Sequence, residues 1–341
     1  MELKILVLVL FLTIIVLINF LQIKFNFCLD NITNNENHKK LLSLNNQTPL
    51  SGTIYFSIIL SALFYKSEPL LLTICITFFS IGFLADLKIL KSPKLRLVFQ
   101  FLILLLFLSF NQDITINVRM DLLNRLMEND IFNILIVSFF FLVLVNGFNF
   151  IDGVNNLSSL NFLIILTFIY IMLDDIKIYD LRDNILILIL ATFIFVIFNF
   201  FGKNFLGDGA IYGLSFFIGY LLVKVSSFDD SVSPYYFANL LWYPAFENLF
   251  TILRRHFKRV KNYLPDNEHL HQIIFKVINQ KKLFKKKYLY SSFTGIIINS
   301  FLLMLYTIGY FFNDRTDVQV YLIITGVLVY LFLYFNLRKY I

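Results

Sequence analysis

Long apolar stretches without a single charge constrain this chain more than any other feature, as in Phe101 to Leu108 and Ile185 to Phe198. Stretches of this kind recur from one end of the sequence to the other. In hydrocarbon every backbone N–H and C=O must find its partner within the protein, which leaves helices or closed barrels. Barrel strands alternate apolar and polar residues, and these runs do not, so the pattern predicts helices. A soluble fold is excluded by composition: 58% of residues are hydrophobic and only 15% charged, with a mean hydropathy of +0.76, where soluble domains carry about 25% charged residues.

At about 17–25 residues per span, the runs predict an all-α, polytopic transmembrane bundle of about 11 helices. The expected spans are 3–23, 48–65, 69–85, 95–110, 131–148, 157–173, 184–201, 209–227, 234–252, 289–312 and 318–337. The opening run, Leu3 to Phe20, lacks a basic leader and a small-residue cleavage site, and is expected to stay as a helix. Cys28 and Cys75 give neither a disulfide framework nor metal-ligand spacing.

Loop charge predicts orientation. Alternate loops, beginning with the first, hold most of the 29 Lys and Arg, including Lys88, Lys91, Lys94, Arg96 and the basic stretch from Arg254 to Lys287. The opposite loops hold acids such as Asp113, Asp121, Glu128, Asp174, Asp175, Asp229 and Asp230. The positive-inside rule then places the N-terminus in the periplasm and the C-terminus in the cytoplasm. The net charge of +7 is explained by basic strips beside anionic lipid, and no nucleic-acid partner is needed. The expected organisation is a single integral-membrane domain over 1–341, with cytoplasmic site loops near 24–50, 86–96, 146–157, 202–209 and 253–288.

Five polar clusters sit on the basic side. The first is Asn37, His38, Lys39 and Lys40 with Thr48, Pro49 and Gly52; taken alone it reads as an ordinary polar loop. The second is Gly82 to Leu87, followed by Ser92 to Leu97. Asp86 falls at the C-terminal end of a helix, where the macrodipole disfavours an anion, so a cation beside it is expected, either Mg²⁺ or a lysine. Pairing with Lys88 or plain solvation is the bland alternative. The third cluster runs from Asn146 to Asn156. Asn146, Asn149 and Asp152 are three apart and form a stripe on one helix face, more than capping of the next helix requires.

The fourth cluster is Asn204-Phe205-Leu206-Gly207-Asp208-Gly209. Asp208 reads either as an N-cap or as a carboxylate that, with the backbone N–H groups around it, faces a metal–phosphate complex. The fifth holds Arg254-Arg255-His256 and Pro265-Asp266-Asn267-Glu268-His269-Leu270-His271-Gln272. In an extended segment His269 and His271 point the same way, and on a helix Asp266 and His269 share a face. A zinc site here lacks an evident third protein ligand.

Taken in order, the clusters resemble the polyprenyl-phosphate N-acetylhexosamine-1-phosphate transferases, the superfamily of phospho-N-acetylmuramoyl-pentapeptide transferase. The resemblance runs from about His38 to Gln272. Its specific pieces are the Asn-x-x-Asn-x-x-Asp-Gly stretch from Asn146, Phe205 to Gly209, and Pro265-Asp266-x-x-His269-Leu270-His271. Tyr243-Pro244-Ala245-Phe246-Glu247, leading to Arg254-Arg255, is similar to the branch that initiates lipid-linked surface polysaccharides such as lipopolysaccharide O-antigen. Ala85 stands where that family has the first acid of a pair, and Gln272 where it has the second histidine of a pair.

The resemblance implies transfer of an amino-sugar-1-phosphate from a UDP-sugar to undecaprenyl phosphate, with release of UMP. It implies Mg²⁺ as cofactor, with Mn²⁺ as substitute, and a polyprenyl phosphate, a UDP-amino sugar and the membrane as partners; a homodimer is compatible with it. By the same resemblance Asp86, Asp152 and Asp208 are catalytic, and Asp208 and Asp152 hold the metal. Asp86 would orient or deprotonate the acceptor phosphate, or help hold the metal. Asn146, Asn149, Arg254, Arg255, His269 and His271 would bind the donor, and Lys39 or Lys40 the lipid phosphate. Two other readings compete. A transporter would need ionisable residues near the midplane and internal repeats. A catalytically impaired relative acting as a membrane scaffold would explain Ala85 and Gln272.

Overall fold

The computed structural model describes residues 2–31, 47–50, 52, 69–111, 114, 118–258 and 268–340. The helices are α1 (Glu2–Phe25), α2 (Pro69–Asp86), α3 (Pro93–Phe110), α4 (Asp121–Met127), α5 (Asp130–Ile151), α6 (Leu157–Asp175) and α7 (Tyr179–Phe200). They continue with α8 (Gly207–Ser226), α9 (Pro234–Phe257), α10 (Leu270–Gln280), α11 (Lys287–Phe311) and α12 (Thr316–Leu337). Two short strands, β1 (Leu29–Asn31) and β2 (Gln47–Pro49), pair antiparallel with Asp30 opposite Thr48.

This is the expected all-α polytopic membrane bundle. Among the described residues seven helices are long and apolar enough to span a membrane: α3, α5, α6, α7, α8, α11 and α12. Parts of α1 and α2 form shorter apolar helices. Although 24 residues long, α9 is less apolar, because Asn239, Glu247, Asn248 and Thr251 are all buried against its neighbours. Every other expected span coincides with a helix; the second, 48–65, lies largely outside the described residues and its first two, Thr48 and Pro49, belong to β2, while Lys39 and Lys40 lie outside the described residues altogether. Among the described residues two helices are additional to those expected. α4 has 7 residues and α10 has 11, both too short to leave the signature of a span.

Local chemistry sets several helix starts. Ser92 caps α3 by accepting the Leu95 N–H, ahead of Pro93 in the first turn. Asn129 does the same for α5 through the Phe132 N–H at 3.2 Å. Between helices, polar side chains act as adhesive in the apolar interior. Asn161 of α6 donates to Asn299 of α11 at 3.2 Å, and Asn239 of α9 to Gln319 of α12 at 3.1 Å.

The two ends of the bundle differ. At one, Arg119 donates to the Asp230 carbonyl at 2.9 Å and to Thr316 Oγ1 at 3.0 Å, tying together loops from the acid-rich set. The other end gathers the polar clusters.

Candidate active site

At that end the five clusters are stitched to one another. The Phe205 N–H donates to the Pro49 carbonyl at 3.0 Å, and the Gly52 N–H to the Phe205 carbonyl at 3.3 Å, joining the first cluster to the fourth. Asn199, at the end of α7, joins the third to the fourth. Its Oδ1 accepts the Asn156 N–H at 2.6 Å, and its Nδ2 donates to the Asn204 carbonyl at 2.7 Å. From α11, Asn299 Nδ2 donates to the carbonyls of Asn156 and Leu157 at 3.0 and 2.9 Å. These bonds hold the α5–α6 turn although Asn156 has a left-handed backbone, φ 61°.

Asp86 and Asp208 meet directly. The Asp86 carboxylate accepts the backbone N–H of Asp208 at 2.9 Å and that of Gly209 at 3.1 Å. Its cationic partner is therefore the positive end of another helix, α8, rather than a lysine. Gly207 has φ 75°, and a Cβ there would lie 2.7 Å from Asp86 Oδ2, so both backbone and space require glycine. One turn earlier, a Cβ on Gly82 would lie 2.3 Å from the Asp208 carbonyl. The absence of a side chain at Gly82 is what lets α2 approach α8 closely enough for Asp86 to reach. Two consequences correct the sequence reading. Asp208 lies inside α8 rather than at its N-cap, and the two N–H groups proposed for a phosphate are taken by Asp86.

The Asp208 carboxylate instead pairs with Arg96 on α3, whose guanidinium also donates to the Tyr212 hydroxyl at 3.2 Å. Asp152 caps the C-terminal end of α5 and accepts from Ser158 Oγ at 2.5 Å. Burial pushes its carboxyl up to about 7; the Ser158 hydrogen bond opposes this, while the nearby charges of Asp208 and Asp30 add to it. Asp152, Asp208 and Asp30 thus share one field. Asn146 is turned away, donating to Gln100 of α3 at 3.0 Å, while Asn149 is half-buried.

The histidines form a second group. His269 precedes α10 in an extended conformation, and its ring lies parallel to that of His271, centroids 5.5 Å apart at 10°. His271 is fully buried, and neither ring nitrogen has a hydrogen-bond partner among the described residues. Burial, then the neighbouring His269 ring, push its pKa well below the usual imidazole value. A buried polar group without a partner costs about 1–3 kcal/mol, which is reasonable where a ligand supplies the partner. The ring packs on Gly153, where a Cβ would lie 2.2 Å from Nε2, and this contact joins the third cluster to the fifth.

Gln272 has a structural task. Its Oε1 accepts the His269 N–H at 3.2 Å, fixing the start of α10. His269 Nδ1 lies 2.9 Å from Glu247 Oε1, whose other oxygen accepts from the Tyr330 hydroxyl at 2.8 Å. Arg254 donates to the Tyr334 hydroxyl at 2.9 Å and to the Glu268 carbonyl. Arg254 and Arg255 are both buried. Lys39, Lys40 and Asp266 lie outside the described residues.

Sequence reasoning passed over Arg96, Glu247 and the tyrosines of α12 as site residues. Arg96 reads as one more orienting charge. Glu247 had a signal of its own, as the one acid within an expected span from 234 to 252. Tyr330 and Tyr334 look like ordinary interfacial aromatics.

Among the described residues no three His, Cys, Asp or Glu side chains form a ready metal cage. Mg²⁺ does not need one, since it usually takes one or two carboxylates plus waters and substrate phosphates. Asp208 and Asp152 are hard oxygen donors in mutual repulsion, which a divalent cation would relieve, so the residues fit that ion.

Residues 69–226 match the family model Glycosyl transferase family 4. No curated protein matches the chain.

Proposed function

From the premise that residues 69–226 belong to the family of polyprenyl-phosphate sugar-1-phosphate transferases, we propose that the chain transfers an amino-sugar-1-phosphate from a UDP-sugar to undecaprenyl phosphate. An oxygen of the lipid phosphate bonds to the β-phosphorus of the donor, the bond to the bridging oxygen breaks, and UMP leaves. The product starts a lipid-linked cell-surface glycan. The reaction lies on the basic, cytoplasmic face of a bacterial inner membrane, with the N-terminus outside and the C-terminus inside. The observation that carries this reading is the convergence of Asp86, Asp208 and Asp152 at one end of the bundle, within the matched segment.

Phosphoryl transfer of this kind needs positioning and charge neutralisation more than covalent chemistry from the protein. Bound Mg²⁺ would supply neutralisation of the diphosphate, held by Asp208 and Asp152. Asp86 fixes the start of α8 and with it the direction of Asp208. His269, His271, Asn149, Arg254 and Arg255 form the donor side, and Lys39 or Lys40 meets the lipid phosphate. A phosphate monoester is already largely ionised near pH 7, with a second pKa of about 6, so the acceptor reacts without a dedicated base and Ala85 is tolerated.

The test is transfer of labelled sugar phosphate from UDP-N-acetylglucosamine and other UDP-amino sugars to undecaprenyl phosphate, with Mg²⁺ or EDTA. Metal-dependent lipid product is expected, reduced about 10²-fold or more in Asp208→Asn. Folded protein that binds UDP-sugar yet makes no product from any donor would overturn the reading.

A further inference from the structure

We propose that Glu247 is a positioning residue that holds the His269 proton on Nδ1, leaving Nε2 as the ring nitrogen offered to the sugar-nucleotide. Glu247 is completely buried on α9, and a carboxylate inside a membrane bundle is costly unless its oxygens are partnered. Both are. Oε2 accepts from Tyr330 at 2.8 Å, and Oε1 lies 2.9 Å from His269 Nδ1. A carboxylate offers acceptors only, so the nitrogen facing it must be the N–H. Thr251 Oγ1, at 3.4 Å from the same nitrogen, is a longer second neighbour.

Everything else about the ring is already set. Its face lies against His271, its edge of the chain is held by Gln272, and Phe150 packs with its centroid 5.5 Å away. What those contacts leave open is which nitrogen carries the proton, and a carboxylate-to-imidazole bond decides such questions. Tyr330 fixes Glu247 in turn, so the tautomer is set from α12, outside the segment that matches the family model.

The role of His269 toward a donor rests on the transferase reading; the position of the proton does not. The first measurement is therefore ¹⁵N spectroscopy of the full-length chain in nanodiscs, labelled at its four histidines, with His269 assigned by its loss in His269→Gln. A protonated Nδ1 is expected in the parent, kept in Glu247→Gln, whose amide oxygen still accepts, and lost in Glu247→Leu. An unprotonated Nδ1 in the parent overturns the proposal, and that spectrum decides even if Glu247→Leu fails to fold. The second measurement is kcat and KM for the UDP-sugar. Glu247→Leu is expected to lower kcat/KM about 10–100-fold, with rescue by Glu247→Gln. In a His269→Ala background the same change should add nothing beyond about twofold. Equal losses in both backgrounds would make Glu247 a mere brace. Absence of transfer by the parent from any donor would sink the transferase reading and leave the spectrum to judge the proton.

Discussion

Asp86 and Asp208 are 122 residues apart in the chain, yet the carboxylate of the first accepts the backbone N–H of the second at 2.9 Å. One aspartate caps the helix on which the other stands. That division explains why Asp208 can turn toward Arg96 instead of capping its own helix, and why a carboxylate is tolerable at the unfavourable end of α2.

The cap makes a prediction about stability. Asp86→Ala should cost about 1–2 kcal/mol, and Asp86→Asn less, since its amide oxygen still accepts one of the two N–H groups while its NH2 cannot accept the other. Thermal midpoints in matched detergent check this. Equal destabilisation by both would show that the charge, not the hydrogen bonds, matters. An Asn variant with parental stability but no transfer would place Asp86 at the substrate.

Arg96 competes with any cation for Asp208. Arg96→Gln is expected to tighten Mn²⁺ binding in the absence of donor by roughly tenfold, about 1.4 kcal/mol, while transfer falls because Asp208 is no longer directed. Electron spin resonance titration of Mn²⁺ reads the first effect. Weaker Mn²⁺ binding in the variant would contradict the assignment of Asp208 as a ligand.

Gly153 seats His271, with no room for a methyl group. Gly153→Ala should displace the ring and raise KM for the UDP-sugar by about tenfold, roughly the worth of one good hydrogen bond to a charged ligand, with a smaller change in kcat. Unchanged KM would remove His271 from the donor site.

Glu268 gives a pH dependence. Burial alone would raise its pKa, but Lys258, Arg338 and Arg254 outweigh burial and hold it below the usual value. A carboxyl depressed in the folded state contributes stability above its unfolded pKa, lost as pH falls through the folded one. Because Glu268 is 36% exposed, solvent screens these pairs and the contribution is at most about 1 kcal/mol. Thermal midpoints should therefore drop more between pH 5 and pH 3 in the parent than in Glu268→Gln, and high salt should shrink the difference. Parallel curves would show the pairs contribute nothing.

The spans were legible because burial in lipid depends on composition averaged over a whole helix, and an average survives ignorance of side-chain direction. The shared end of the five clusters was legible for the same reason, through the alternation of loop charge. Direction was not. That Asn146 turns to Gln100 and that Asp86 reaches across to α8 are facts about pairs of helices. Nothing in one helix's periodicity announces them. α10 escaped notice because its 11 residues bury only one face, Leu270, His271, Ile273, Ile274 and Phe275, among lysines and polar neighbours.

The bonds from α12 to the site also impose an order in time. Tyr330 follows Glu247 by 83 residues, and Tyr334 follows Arg254 by 80. At about 5–20 residues per second of synthesis, the ribosome needs roughly 4–17 s to make the partner after the carboxylate has emerged. Until α12 is inserted, a buried glutamate and a buried arginine wait in the bilayer half-satisfied. This side of the site is thus completed late in biogenesis, and a chain stalled before Tyr330 would carry its earlier membrane helices with Glu247 and Arg254 still lacking their α12 partners.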